Sequence, residues 1–297
     1  DTRRTYRKEG IFTPAVEDII SHTMMSNDDK ILSLLRTYFE PDDYFLVYKR
    51  MIGTGCIGGK ACGMLLARKI IQTDNPGAFA RMEPHDSYYL GSDVFYTYIV
   101  HNKFWRLHIH QKTKQGYFKL APELERAFLQ GSFPEAIRLQ FIRMLEYFGQ
   151  RPIIVRSSSL QEDAFGNAFA GKYESVFCIN TGTMDERLNE LENAVRTVYA
   201  STMNPSALEY RRQRGLGFKD EQMALLIQRV SGSMYEDFLM PNAAGVGYSY
   251  SAYKWDNSIN ASDGMLRLVM GLGTRAVDRT EGDYPRIVNL SAPERST

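Results

Sequence analysis

Two stretches of this chain combine residue types that handle phosphate. The first, Gly53-Thr54-Gly55-Cys56-Ile57-Gly58-Gly59-Lys60, runs from a short apolar segment into a helix candidate. Glycines let the backbone approach a phosphate closely, and a helix N-terminus adds exposed N–H groups and partial positive charge. Lys60 stands at that helix start, where the dipole disfavours a cation, so its position calls for an anion nearby. The plainer alternative is a solvated lysine beside a tight turn. The second stretch is Val155-Arg156-Ser157-Ser158-Ser159, at the end of a compact apolar strand beginning at Pro152. An arginine at a strand end can grip phosphate oxygens bidentately, with serine hydroxyls as further donors. The plainer alternative pairs Arg156 with Glu162 or Asp163 and leaves the serines to cap a turn.

Two familiar patterns bear on the glycines. Gly53, Gly55 and Gly58 satisfy the dinucleotide fingerprint GxGxxG, but the nearest acidic candidate, Asp74, falls in a turn before Pro76. The P-loop pattern fails, because Thr54 occupies its first glycine position and Ala61 replaces its Ser/Thr. The five histidines, His22, His85, His101, His108 and His110, show no catalytic or zinc context. His108 and His110 are expected on one face of a strand, in a structural role. The three cysteines, Cys56, Cys62 and Cys178, form no CxxC pair and read as packing thiols of a reducing compartment.

The elements expected to hold these stretches alternate helix and strand. Ile31, Leu34, Leu35 and Tyr38 recur at helical spacing, and Pro41 ends that segment. Tyr44 to Tyr48 reads as a strand leading into the glycines, and Leu66, Ala67, Ile70 and Ile71 mark the helix after them. A helix is expected from Phe133 to Phe148, capped by Ser132 with Glu135 and stopped by Gly149. Another spans Met184 to Tyr199, with Thr183 and Glu186 as its capping box, and Asn204-Pro205 opens a further helix that Gly215 stops. Strands are expected at Tyr173 to Ile179, Met223 to Val230, Gly245 to Tyr250 and Leu266 to Met270. The pattern gives an α/β (α+β) class with a strand-rich end. Residues 1–43 read as a helical linker or the tail of a preceding domain, 44–180 as a first subdomain and 181–297 as a second.

Bulk properties narrow the function classes. The 36 basic residues nearly cancel the 35 acidic ones, which argues against a dedicated nucleic-acid binder or a polybasic membrane module. No apolar run approaches the ~18 residues of a membrane span, and the polar N-terminus reads as no secretory signal; with the unpaired cysteines, the expected location is cytoplasmic. The polar ends read as boundaries inside a longer protein.

The order and spacing of Gly58-Gly59-Lys60-Ala61, Ile153 to Ser159 with Glu162-Asp163, and Phe169-Ala170-Gly171-Lys172-Tyr173-Glu174-Ser175 resemble the N-terminal nucleotide-binding domain of the phosphoenolpyruvate synthase and pyruvate phosphate dikinase family. Ala224 to Val230, Ala244 to Ser249 and Gly271-Leu272-Gly273 continue the likeness, which covers roughly residues 46 to 290. The resemblance implies an ATP-grasp-like fold of two subdomains with ATP between them. It implies transfer of a phosphoryl or pyrophosphoryl group to a histidine on a separate domain, and a substrate-binding barrel; both would lie outside this chain. By the same likeness Lys60 and Arg156 contact ATP phosphates, with Gly58, Gly59 and Ser157 beside them. The Gly171 to Ser175 loop closes over the phosphates, and the strand ending at Gln228-Arg229-Val230 reads adenine along its backbone. Where the family carries acidic residues and a Gln around Gly-Leu-Gly, this chain has Arg267, Thr274 and Asp278. The resemblance therefore assigns Mg²⁺ to Asp278, with Glu281 or Asp283 as further carboxylates, and a cation to Arg275 or Arg279. Two alternatives accompany it: a nucleotide-sensing regulatory module that has lost the chemistry, and a Rossmann-type dinucleotide-binding domain.

Overall fold

The computed structural model describes residue 6 and residues 10–162, 171–273 and 285–295. The chain divides into two units, residues 1–229 and 230–297. The boundary expected near residue 180 falls inside the first unit, between a strand and a helix that pack together.

The first unit begins with helices α1 (Pro14–Ile20), α2 (Asp29–Tyr38) and α3 (Pro41–Lys49), with a π-helical turn (Ser21–Met25) between α1 and α2. Strand β1 (Met51–Ile52) then leads through the glycines into α4 (Gly59–Asp74) and the short α5 (Pro76–Phe79). Next come β2 (Ser87–Leu90), α6 (Ser92–His101), α7 (Trp105–Gln111), α8 (Ala121–Gln130) and α9 (Glu135–Phe148). The unit closes with β3 (Ile153–Ser159), β4 (Ser175–Cys178), α10 (Met184–Ser201), α11 (Pro205–Gln213) and β5 (Met223–Arg229).

The five strands form one sheet in the order β1-β2-β5-β3-β4. Only β1 and β2 run parallel; the β2–β5, β5–β3 and β3–β4 pairs are antiparallel. This is an α+β architecture, and it removes the Rossmann alternative, which requires a parallel doubly wound sheet. Strand β5 is central, and its residues from Met223 to Ile227 are at most 0% exposed because both faces are covered. Met223, Leu225 and Ile227 join Ile153 and Val155 in a core completed by α6, α8, α9 and α10. Leu226 points the other way, into a second core with Tyr89, Leu66 and the N-terminal helices.

That second core corrects the reading of residues 1–43 as a linker. Met24, Met25, Leu32 and Leu35 are buried against Ile57, Ala61 and Cys62, so the N-terminal segment is a layer of the unit. It also corrects the strand expected at Tyr44 to Tyr48, which is the body of α3. Pro41 starts that helix at its first position, with Glu40 and Asp43 as a reciprocal capping box. His108 and His110 likewise lie on a helix, α7, and not on a strand. The capping box at Thr183 forms as expected. Ser132 makes none, since Pro134 is the N-cap of α9.

The second unit contains a hairpin of β6 (Ser233–Tyr235) and β7 (Phe238–Met240). It also holds an antiparallel sheet of β8 (Ala243–Tyr248), β9 (Met265–Met270) and β10 (Arg286–Asn289), in the order β10-β9-β8. Among the described residues no helix is long and apolar enough to cross a membrane.

Candidate functional site

The two phosphate-type stretches meet at the end of β3. Gly58 is the N-cap of α4 with φ 83°, and a Cβ there would fall on the Ser158 carbonyl. A Cβ on Gly59 would likewise fall on the Glu162 carbonyl. The Gly-Gly pair thus lets the start of α4 lie directly against β3, a contact that no side-chain-bearing residue permits. Ser158 fixes this contact, its hydroxyl donating to the Ile57 carbonyl (2.8 Å) and accepting from the Ala61 amide (3.0 Å).

Lys60, in the first turn of α4, reaches across to β3. Its ammonium donates to the Ser157 carbonyl (2.9 Å), the Ser157 hydroxyl (3.2 Å) and Glu162 Oε1 (2.8 Å). Glu162 is buried, and its other donors are the Ser157 hydroxyl (2.9 Å) and the Ser159 amide (3.2 Å). The anion that Lys60 calls for at its unfavourable dipole position is therefore supplied within the chain. Glu162 serves Lys60, not Arg156, and Asp163 lies outside the described residues.

Arg156 is not at the end of its strand but in the middle of it, paired in register with Leu226 on β5 and Ser175 on β4. Its guanidinium donates to Gln228 Oε1 (3.3 Å), and Gln228 Nε2 donates in turn to Ser87 Oγ (3.2 Å). The structure thus brings Arg156, Ser175 and Gln228 into one cluster, adjacent along β3 to the cluster of Gly58, Gly59, Lys60 and Ser157. Arg229 turns elsewhere, to the carboxylates of Glu83 (3.4 Å) and Asp86 (3.7 Å). Gly171 has φ 67°, and among the described residues no atom lies within 4 Å of where its Cβ would stand. Val230 begins the second unit. Asp278 and Arg279, together with Arg275, Glu281 and Asp283, lie outside the described residues.

The earlier glycines, Gly53 and Gly55, have a different task. The backbone amides of Thr54 and Gly55 donate to the Asp93 carboxylate at 2.9 and 2.8 Å, and the Cys56 amide donates to Ser92 Oγ (3.2 Å). The anion in this turn is a side chain of the first turn of α6, which accounts for the GxGxxG match without a dinucleotide.

Behind β3 lies a second buried carboxylate that sequence reasoning missed. Glu221 accepts from the Ser159 hydroxyl, from Tyr173 (2.6 Å) and from Arg211 (3.1 Å), whose second nitrogen donates to the Thr202 carbonyl (2.8 Å). Burial and the Glu221 charge push the Tyr173 phenol well above its ordinary range. Glu221 follows Ser159 by 62 residues, and no local spacing announces the pair. The consecutive serines Ser157, Ser158 and Ser159 are thus divided among Glu162, the head of α4 and Glu221. The cysteines are free and buried, and burial pushes Cys56 up to about 11 and both Cys62 and Cys178 up to about 12, away from nucleophilic use.

A site of this kind, a lysine of α4 reaching Ser157 beside a mid-strand arginine of β3 with hydroxyl donors around them, suits a polyanionic phosphate group. The profile of the family described as pyruvate phosphate dikinase, AMP/ATP-binding domain, matches residues 54–294. The chain belongs to that family and comprises its ATP-binding domain. No curated protein matches the chain with significance.

Proposed function

We propose that the chain is the ATP-grasp-like domain of a dikinase-type phosphotransferase, passing a phosphoryl or pyrophosphoryl group from ATP to a histidine on another domain. The family match across residues 54–294 supports this reading, joined to one structural observation. Lys60 and Arg156, 96 positions apart in the sequence, are gathered onto neighbouring residues of β3, Lys60 through its bonds to Ser157. In this reading both cations contact the ATP phosphates, with Gly58, Gly59, Ser157 and Ser175 lining the same place. Phosphoryl transfer rests on positioning and on neutralising charge over the moving oxygens, and an ammonium and a guanidinium provide both. Glu162 and Ser157 hold the Lys60 ammonium in place before nucleotide arrives. Gly171 belongs to the loop that closes over the phosphates, and the backbone of Gln228, Arg229 and Val230 reads the adenine. Asp278 would hold Mg²⁺, which would supply further neutralisation of phosphate charge, and Arg279 would add a cation. A histidine domain and a substrate-binding barrel elsewhere complete the cycle, and the two-subdomain arrangement with ATP between the halves belongs to the same proposal.

Calorimetric titration with Mg-ATP tests the binding half. Lys60→Ala and Arg156→Ala are each expected to weaken ATP by about tenfold or more, as loss of a charge-assisted contact implies. If both folded variants bind ATP like the parent, the site assignment is wrong. A second reading, nucleotide sensing without transfer, is favoured by Arg267, a basic residue on β9 where the resemblance has an acidic one. Labelled ATP incubated with a supplied histidine domain separates the two: label on the histidine supports transfer, and ATP binding without label supports sensing.

A further inference from the structure

A cleft of the first unit lies away from Lys60 and Arg156, neither of which lines it. It encloses about 370 Å³ between the C-terminal halves of α3 and α4, with Phe79 of α5 and the segment 84–87 closing one side. That volume is at the lower end of small-ligand pockets. Leu46, Val47, Leu65 and Phe79 give it an apolar wall, and Lys49, Arg50, Arg68 and Lys69 make its lining basic.

Its two carboxylates are already engaged. Asp43 accepts from Lys69 (2.8 Å) and from the Glu40 amide (2.8 Å). Asp86 accepts from Tyr147 (3.0 Å) and faces Arg229 (3.7 Å). Lys49, Arg50 and Arg68 have no carboxylate partner among the described residues. Arg68 is held in place by the Glu83 carbonyl (3.0 Å) and the Phe79 ring (5.3 Å). Arg50 lies 3.6 Å from the Tyr147 ring centre, and its buried Nη1 has no hydrogen-bond partner among the described residues. Exposed Lys49 and half-buried Arg50 and Arg68 thus present positive charge with no described carboxylate against it around an apolar recess, and the unpartnered buried Nη1 of Arg50 leaves a donor available to an anion.

We propose that this cleft is a second binding site, for a small organic anion carrying a carboxylate or phosphate on an apolar body. The α3 wall with Arg50 precedes residue 54, where the family match begins, so this cleft is built partly from sequence outside the ATP-binding domain. Lys60, Arg156 and Gln228 do not line it. On the proposed placement of the ATP phosphates at Lys60 and Arg156, on which this inference rests, the ligand is distinct from the nucleotide and the two are expected to bind together.

The test titrates the whole chain with phenyl phosphate, benzoate and inorganic phosphate, each with and without saturating Mg-ATP, following calorimetric heat and thermal midpoint. Phenyl phosphate or benzoate is expected to bind and inorganic phosphate to bind more weakly, since it lacks the apolar body; the tighter aryl anion identifies the head group. Lys49→Gln/Arg68→Gln is expected to weaken that anion by about tenfold or more and to leave the ATP isotherm unchanged. Lys49→Glu, a change at an exposed position, provides the same reading should the double variant fold poorly. Absence of binding by both aryl anions, binding that survives Lys49→Glu, or displacement of the anion by ATP each overturns the proposal. None of these outcomes depends on whether the chain transfers phosphate.

Discussion

Replacing Lys60 by Met measures how far the phosphate site is held together by its own ion pair. The substitution removes three contacts, to the Ser157 carbonyl, the Ser157 hydroxyl and Glu162. It strands a carboxylate that is 4% exposed, with the Ser157 hydroxyl and the Ser159 amide as the donors left to it among the described residues. Breaking a buried pair by deleting one partner costs about 3–5 kcal/mol. The Lys60 side chain is 21% exposed, so water reaches the vacated space and the expected loss falls to roughly 2–3 kcal/mol. Glu162→Gln in the same chain removes the stranded charge while keeping an acceptor, and should recover about 1–2 kcal/mol of it. Urea denaturation of the parent, both single variants and the double variant at 25 °C gives the cycle. At roughly 2–4 °C per kcal/mol for a unit of this size, Lys60→Met should lower the melting midpoint by about 4–12 °C. A double variant no more stable than Lys60→Met would refute the reasoning, because the penalty would then not come from an uncompensated Glu162.

The glycines make a paired prediction. Gly58→Ala places a methyl on the Ser158 carbonyl at a positive φ and should cost more than about 3 kcal/mol, whereas Gly63→Ala, in the body of α4 with open space around it, should add about 0.5–1 kcal/mol; thermal melts of the two variants check both signs. His108 is buried beside Phe95, and burial with the nearby Lys112 and Arg211 cations, against Asp220, holds its imidazole down at about 4. The unfolded chain takes up that proton below its ordinary pH of ~6.5, so His108 withdraws up to about 3 kcal/mol as pH falls from ~6.5 towards 4. His108→Phe should flatten stability across that window in urea melts, and an unchanged slope would remove His108 as the cause. Arg211→Met deletes the partner of buried Glu221 and should destabilise by about 3–5 kcal/mol, with near-ultraviolet circular dichroism reporting the disturbed Tyr173.

Much of this frame is legible in the sequence, and the exceptions follow a pattern. The Thr183–Glu186 box, the Gly149 stop and the apolar segments that become β3 and β5 depend on local chemistry, and local chemistry is visible. Pro41 was legible only as punctuation: the same ring that closes one helix opens the next, and a five-residue apolar run cannot decide between strand and helix. The meeting of Lys60 and Arg156 beside β3 was accessible through the family resemblance alone. The anions that organise the site were not. Glu162 could be noticed beside Arg156, but its partner is 102 residues away on α4. Asp93 meets Thr54 and Gly55 from a different helix, and Glu221 reaches Ser159 from the far side of the sheet. Those pairings are products of topology, which spacing does not encode.

The sheet order has a consequence for how the chain is made. Strand β5 sits between β2 and β3, yet it is the last of the five to leave the ribosome. Until residues 223–229 arrive, β2 and β3 each present an unpaired edge, and the halves of the sheet have nothing to join them. The first unit therefore completes its hydrophobic layers only at the end of its own synthesis, by inserting a strand into a waiting gap. A nascent chain that pauses before Met223 is the form most exposed to edge-to-edge association, and the one that a cell has most reason to shield.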